Sequence, residues 1–544
     1  MHLVFGAPPL MTRDFKITLI TSISDIQRSY MPWNLMTLVS VCRQEGINAD
    51  LIDVKTDQGP DHAYKTIFEK LAEDVPDVVG LPCSTVDVTD VRRIATDLKR
   101  CYPDIKIVVG GIHATMYPDD FFEEDYGIDY VVTGYGEIPL TRLLKALRSG
   151  DDPAIPKIPN LTFKDASGVV TTETANEQYD LALLPKMDFG MLDMNYYIRP
   201  MEDLVRGVPI TGMTIYTTRG CPFKCSFCVS GGLWEIVKSV QYKTVDYVVD
   251  ELEYFKKTFH IDGFYIYDDV FILNKKFAMA VCDEIIRRKL NLVWGCQSTV
   301  HVVDEEIAEK MAEAGCVQMD FGVESGSQSQ LERMNKSWAK QDKTVEAFKI
   351  CRKNGIRTLA NWMFNGPQET EADVNATFEF AKRISANTNV FSFYIPYPGG
   401  GDAEPFWKDK KVDVALFENF SRGMSWKQHL ETVDNNFRQS QHNMKFVDMY
   451  KRIVREFPVR SNFHLKFSLS WLKHFNDLIS WVYSPWFWGV LLRSKHKPAY
   501  IKWFVKRIKG LLPQMKVSFE DKMDLHLSET LKPTNTPGQT VRIE

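Results

Sequence analysis

Residues 220–228 read Gly-Cys-Pro-Phe-Lys-Cys-Ser-Phe-Cys, placing Cys221, Cys225 and Cys228 in a C-x3-C-x2-C run on a glycine-led loop. A short apolar stretch, Met213 to Tyr216, precedes it. Thiolates are strong ligands for soft metals, and three are one too few for a closed tetrahedral zinc site or a fully ligated four-iron cluster. A [4Fe–4S] cluster held by three cysteines leaves one iron open to a substrate or cofactor. The alternative is a zinc site completed elsewhere, but no second CxxC pair follows and no histidine lies close enough to finish a local knuckle. Disulfides are not expected, because nothing in the sequence suggests an oxidising compartment. The other seven cysteines (Cys42, Cys83, Cys101, Cys282, Cys296, Cys316 and Cys351) are scattered singly, mostly in apolar patterns, and read as buried packing.

Polar groups recur just past other apolar runs. Tyr267-Asp268-Asp269 follows one, Phe321-Gly322-Val323-Glu324-Ser325-Gly326 closes another, and Asn365-Gly366-Pro367-Gln368-Glu369-Thr370 a third. An acidic pair at a strand end often caps a helix. Here the groups follow the cysteines in order along one repeating pattern. Strands are expected at Met213–Thr217, Gly263–Tyr267, Leu292–Cys296, Val317–Gly322, Leu359–Phe364 and Val390–Ile395. Helices are expected at Thr244–Phe259, Lys275–Arg288, Glu305–Ala314 and Lys343–Asn354. Six such units make a partial (β/α) barrel, whose chemistry sits on loops at the carboxyl ends of the strands. The cysteine loop is the first of these.

Upstream, a separate alternation runs from Phe15 to Leu147. Strands at Phe15–Thr21, Asp50–Val54, Val78–Cys83, Ile105–Gly110 and Asp129–Thr133 interleave with helices at Asn34–Glu45, Ala63–Glu73, Val86–Cys101 and Pro139–Leu147. This implies a five-stranded parallel sheet of flavodoxin-like, Rossmann-like form, which binds ligands where its strand order switches. Ser84, Gly110-Gly111 and Gly134-Tyr135-Gly136 follow its later strands. The glycines either admit a planar ligand to the backbone or only turn the chain.

The order strand–Ser, strand–Gly-Gly-Ile-His-Ala-Thr, then Asp-Tyr-Val-Val-Thr-Gly-Tyr-Gly-Glu resembles the cobalamin-binding domain that precedes many radical S-adenosylmethionine (SAM) enzymes. The segment Pro209–Pro398 resembles their radical SAM core. The resemblance implies that Ser84, Gly110 and Gly111 line a cobalamin cleft and that Cys221, Cys225 and Cys228 hold the cluster. It further implies that Phe227 lies against the SAM adenine. Asp268 or Asp269 would meet the SAM amino group, Glu324 and Ser325 its methionyl or ribose part, and Gly366 its adenine side. Tyr397-Pro398-Gly399-Gly400 resembles the Pro-Gly-Thr turn of that family. Two departures stand out. The loop Thr21-Ser22-Ile23-Ser24-Asp25-Ile26 lacks the histidine that ligates cobalt in methionine-synthase-type domains, leaving His113 a candidate in another loop. Gln297-Ser298-Thr299-Val300-His301 lacks an arginine for the SAM carboxylate, so that contact falls to another group or to the Ser298 and Thr299 hydroxyls.

The implied activity is a cobalamin-dependent radical SAM methyltransferase acting on an unactivated carbon or phosphorus of a small molecule. An alternative is oxidative ring closure or rearrangement without methyl transfer, as in anaerobic porphyrin-ester cyclases. A third is a binding or sensing protein without catalysis. The implied partners are a small-molecule substrate, large and apolar in one reading, and an electron donor such as flavodoxin or ferredoxin, with peripheral membrane contact as a further option and no nucleic acid expected.

The chain of 544 residues has a net charge of −5 and a pI near 6.2, so no basic excess points to nucleic acid. No signal peptide or clean spanning segment is read, and the expected location is cytoplasmic. The expected organisation is an extension (1–14), a cobalamin-binding domain (15–150), a linker (151–208), a radical SAM partial barrel (209–400), a helical C-terminal domain (401–528) and a disordered tail (529–544). Within the fifth, Phe463–Leu512 is rich in aromatic and basic residues. It reads as a helical subdomain, a cap for a large apolar substrate, or a segment lying in a membrane interface.

Overall fold

The computed structural model describes residues 14–23, 30–55, 59–205, 208–407, 417, 425–457, 485–514 and 540–541. Two compact units result. The first comprises Met1–Ser24, Pro32–Tyr179 and Leu184–Leu192, the second Asp25–Met31, Asp180–Leu183 and Asp193–Glu544.

The first unit is built on β1 (Lys16–Ile20), β2 (Asn48–Ile52), β3 (Val78–Pro82), β4 (Lys106–Gly110), β5 (Tyr130–Val132), β6 (Leu161–Asp165) and β7 (Gly168–Thr171), in the order β2-β1-β3-β4-β5-β6-β7. Strands β1 to β5 are parallel, and β6 and β7 are antiparallel additions. Helices α1 (Trp33–Gln44), α2 (Pro60–Glu73), α3 (Val88–Cys101), α4 (Ile112–Met116) and α5 (Glu137–Ser149) fill the connections. The β-branched runs of β3 and β4 are buried along nearly their whole length, as parallel strands covered on both faces require. From β1 the chain moves outward to β2 and returns to β3, so the topological switch lies between β1 and β3. The β6–β7 hairpin occupies part of the expected linker. It extends the sheet because Asn160 pins it: Thr133 N donates to the Asn160 carbonyl at 3.0 Å, and Asn160 Nδ2 donates to the Ala175 carbonyl at 2.9 Å.

The second unit holds an eight-stranded sheet ordered β17-β16-β15-β14-β13-β12-β9-β8. Its members are β8 (Arg199–Val205), β9 (Val208–Ile215), β12 (Gly263–Ile266), β13 (Val293–Ser298), β14 (Cys316–Glu324), β15 (Arg357–Phe364), β16 (Thr388–Phe393) and β17 (Thr540–Val541); β10 (Thr218–Arg219) pairs separately with β11 (Gln241–Tyr242). Six strands, β9 and β12 to β16, are parallel, with β8 and β17 antiparallel at the edges. These six correspond to the six expected from sequence. Around them run α6 (Met194–Tyr197), α7 (Val229–Val237), α8 (Val245–Phe259), α9 (Lys275–Arg287), α10 (Glu305–Glu313), α11 (Gln328–Arg333), α12 (Gln341–Lys353) and α13 (Glu371–Ile384). The starts are chemically marked: Thr244, Asn274 and Asp304 cap α8, α9 and α10, and Thr370 with Asp373 forms a capping box on α13.

At the amino-terminal ends of the strands, Phe487 and Val490 of the helix Pro485–Arg493 join Val205, Ile210, Tyr265, Val293 and Val317 in one apolar cluster. Tyr500, in the helix Lys497–Gln514, accepts from Thr211 N at 2.7 Å and donates to Asp262 at 3.0 Å. The described part of the aromatic, basic C-terminal region therefore plugs the end of the sheet opposite the cysteine loop, rather than capping the loop end; residues 458–484 lie outside the described residues. Two further helices, Trp426–Asn436 and Phe446–Glu456, precede them. Of the tail, only residues 540–541 are described, as the edge strand β17. Among the described residues no helix is long and apolar enough to cross a membrane.

Candidate functional site

The cysteine loop leaves β9 and is held at both its root and its tip. At the root, Asp268 accepts from Thr217 N at 2.6 Å, Thr218 N at 3.0 Å and the Thr217 hydroxyl at 2.5 Å. At the tip, Ser226 N donates to the Met334 carbonyl at 3.0 Å, and its hydroxyl donates to Asp402 at 2.7 Å. Asn335 Nδ2 donates to the Lys224 carbonyl at 2.6 Å. Gly400 lets the turn after β16 approach, since a Cβ there would come within 3.1 Å of the Phe227 carbonyl.

The three thiols are close: charge on Cys225 and Cys228 disfavours ionisation of Cys221, and charge on Cys228 disfavours that of Cys225. Burial, with neighbouring charge, pushes Cys221 up to about 12 and Cys225 up to about 11, and raises Cys228 as well. Such thiols become ligands only when metal replaces their protons. No three His, Cys, Asp or Glu side chains converge as ligands of a single ion among the described residues. Thiolates that each bind a different iron of a cubane need no such convergence. Of the seven scattered cysteines, Cys101 is exposed and the other six are buried.

The sequence-predicted SAM contacts separate into two groups. Asp269 lies beside the cysteines, where its charge raises Cys221 and Cys228, and desolvation of its carboxyl raises its own pKa against a lowering hydrogen bond from Ser230. Phe227 packs on Met334, Met363 and Tyr394. Glu324, at a left-handed φ of 63° where β14 and β15 lose register, pairs with Lys336 at 2.9 Å. By contrast, Asp268 is buried with its oxygens committed to the loop, and burial raises its pKa to about 6. Ser325 is also buried, its hydroxyl 3.0 Å from that of Thr377 and accepting from Ser327 N at 3.1 Å. These two side chains support loops from within the fold, because their polar atoms are already satisfied there. Gly366 makes room for α11: a Cβ there would lie 2.2 Å from Gln330 Nε2 and 2.4 Å from the Met334 methyl.

Two site residues, Lys336 and Tyr394, lie outside the motifs read from the sequence. Lys336 is buried between Glu324, the Gly322 carbonyl at 2.9 Å, and the charges of Cys225 and Cys228. Gly322 is glycine for that pair's sake, since its Cβ would fall 2.4 Å from Glu324 and 3.0 Å from Lys336 Nζ. Lys336 lies in the polar stretch after α11, where nothing but a lone lysine is visible to sequence reasoning. Asn365 binds the Tyr394 and Phe437 carbonyls at 2.9 and 2.8 Å and accepts from Gln439 N at 2.8 Å, latching the later segment onto the β15 loop. Two buried hydroxyls near strand ends, Ser298 and Tyr394, have no hydrogen-bond partner among the described residues. Thr299 instead pairs with His301. Orphaned hydroxyls near strand ends fit a polar ligand placed above the strands.

In the first unit, Ser84 and Ser22 both donate to Asp87, at 2.5 Å each, across the switch between β1 and β3. Gly111 has φ 103°, and a Cβ there would meet the Cys83 carbonyl at 2.7 Å, so the fold itself demands glycine. Gly110 differs: its Cβ would meet only ordinary contacts, 3.6 Å or more from Val132. Packing does not exclude a side chain there, which leaves its bare backbone suited to a close ligand. Thr115 accepts from Gly134 N at 2.9 Å and so ties the fourth-strand loop to the fifth. His113 is buried, with Nδ1 3.2 Å from Thr85 Oγ1 and Nε2 3.1 Å from Asp120. Both its nitrogens are used, which removes it as a cobalt ligand in this arrangement.

Two family models match the chain: "B12 binding domain" over residues 23–144 and "Radical SAM superfamily" over residues 215–381. An uncharacterized methyltransferase of Pyrococcus horikoshii is 29% identical over 74% of this chain and 82% of its own. An anaerobic magnesium-protoporphyrin IX monomethyl ester cyclase of Rubrivivax gelatinosus is 28% identical over 65% of this chain and 62% of its own. The fold is similar to that of a radical S-adenosylmethionine methyltransferase, TsrM, from Kitasatospora setae, solved with cobalamin and a [4Fe-4S] cluster bound. Its TM-score is 0.62 at 22% identity, covering 73% of this chain and 78% of that one.

Proposed function

This chain belongs to the B12-binding radical SAM family, and from that premise we infer that it is a cobalamin-dependent radical SAM methyltransferase acting on a small molecule. The observation that carries the reading is the fixed loop bearing Cys221, Cys225 and Cys228 beside the carboxyl ends of six parallel strands, in a chain that also has a B12-binding domain. When bound, the reduced [4Fe–4S] cluster supplies the electron that splits SAM into methionine and a 5′-deoxyadenosyl radical, and cobalamin supplies a transferable methyl group.

The chain's own residues bind and orient. Cys221, Cys225 and Cys228 would hold the cluster. Phe227, backed by Met334 and Met363, offers an aromatic face to the adenine. Asp269 suits the SAM ammonium. Lys336 supplies the positive charge that the segment after β13 lacks for the carboxylate, with Glu324 fixing its position. Ser298 and Tyr394 offer unused hydroxyls. Asp268, Ser325 and Gly366 shape the loops that carry these groups. In the other unit, Ser84, Gly110 and Gly111 border the cleft proposed for cobalamin. Electrons come from a small one-electron donor such as a flavodoxin or ferredoxin.

The relationship to a cyclase favours one second reading, ring closure without methyl transfer. Anaerobic reconstitution with iron, sulfide, cobalamin and SAM, with dithionite as the one-electron reductant, tests both. Methyl transfer predicts cobalamin in the purified protein and formation of 5′-deoxyadenosine together with S-adenosylhomocysteine. Deoxyadenosine alone would move the reading to cyclisation, and neither product would leave a binding protein.

A further inference from the structure

The helices Pro485–Arg493 and Lys497–Gln514 use one side to plug the barrel sheet, through Phe487, Val490 and Tyr500. A surface helix should then turn a polar face outward. Here large apolar side chains are exposed there as well. Trp488 is 42% exposed, Leu492 70%, Ile501 61% and Val505 43%. Among the described residues only three other large apolar side chains, Val169, Leu183 and Tyr254, are as open. The four recur at a spacing of four within each helix, so each helix carries an outward apolar stripe.

The charge around these stripes has one sign. From Pro485 to Gln514 the sequence has seven Lys or Arg and no Asp or Glu, in a chain whose net charge is −5. Arg493, Lys495, Lys497 and Lys502 are exposed, and none has an ion-pair partner among the described residues. Elsewhere on the surface, basic side chains are commonly matched, as Arg288 is by Asp250 and Glu284. Apolar stripes with a tryptophan, bordered by unmatched cations, are the composition that partitions into an anionic lipid interface.

We propose that this helical pair is a peripheral docking surface for an anionic membrane, with Trp488, Leu492, Ile501 and Val505 entering the headgroup boundary and the basic residues meeting lipid phosphates. The helices are too short and too charged to span it, so binding is reversible and salt-dependent.

The test is co-sedimentation of the full-length protein with vesicles of phosphatidylcholine alone or with added phosphatidylglycerol. Binding is expected to the anionic vesicles only and to fall with salt. Leu492→Glu/Ile501→Glu should abolish it. Lys495→Ser and Lys502→Ser should each weaken it roughly fivefold. Circular dichroism and iron content check that each variant remains folded. The proposal is overturned if wild type ignores anionic vesicles, if the Glu variant binds as well as wild type, or if light scattering shows a dimer that the same variant dissociates. The last result would assign the face to a second copy of the chain.

Discussion

Neighbouring glycines can carry different duties, and Gly110 and Gly111 separate them. Alanine at 111 must adopt φ 103° and press on the Cys83 carbonyl, costing about 1–3 kcal/mol for the backbone alone. Alanine at 110 fits the fold, so urea unfolding should leave Gly110→Ala near wild type and shift Gly111→Ala clearly. If Gly110 borders cobalamin, the stable variant should nevertheless lose cobalamin on purification; full retention would give Gly110 a turn-forming role only. The Lys336–Glu324 pair offers a second contrast. Lys336→Met strands a largely buried carboxylate and should cost roughly 3–5 kcal/mol. Adding Glu324→Gln should recover most of that stability without restoring SAM affinity, measured by equilibrium binding to the reconstituted protein. Recovery of both would make the pair purely structural. The cysteine loop was legible because three cysteines that share one loop must be near in sequence. Lys336 was not, because its meaning comes from strand and loop ends that only the fold brings together.

Among the elements, those with a strong period were legible: the six barrel strands and the upstream α/β alternation fall where their apolar runs fall. Elements that borrow their stability were not. The hairpin partner β8 is polar, α11 is six residues long, and the segment 437–442 is ordered through Asn365 rather than by its own pattern. The helix Trp426–Asn436 near that segment has a testable pH signature. Its His429 is buried, and burial lowers its pKa from 6.5 to about 3. The folded value lies below the unfolded one, so as pH falls the unfolded chain takes up the proton first. The neutral imidazole is therefore fully compatible with folding above pH 6.5, and stability drains away between 6.5 and 3. At pH 5 the loss from this group is about 2 kcal/mol. Denaturant midpoints of wild type and His429→Gln at pH 7.5 and 5 should show the smaller acid loss in the variant; equal losses would show that His429 is not the group responsible.

At the scale of the molecule, charge and cofactors are both distributed unevenly. Outside Pro485–Gln514 the chain has 59 Lys or Arg against 71 Asp or Glu, a net −12, so this basic stretch is set in an acidic whole. A net negative background disfavours anionic surfaces, so the proposed docking depends on the local basic stretch. The residues proposed to hold the cofactors are divided in the same way. Ser84, Gly110 and Gly111 belong to one compact unit, Cys221, Cys225 and Cys228 to the other. Each set is positioned by hydrogen bonds inside its own unit: Asp87 gathers Ser22 and Ser84, while Asp268 and Asp402 fix the cysteine loop. Loading of one cofactor should then not require the other. A Cys221→Ala/Cys225→Ala/Cys228→Ala variant should lose its iron and sulfide and all SAM cleavage while binding cobalamin as wild type does. Gly110→Ala should show the reverse, with cluster iron and basal deoxyadenosine formation intact and cobalamin reduced. Iron, sulfide and cobalamin assays on the two variants decide it. If removing the cysteines also strips cobalamin, the two units are energetically linked and cofactor assembly is ordered rather than independent.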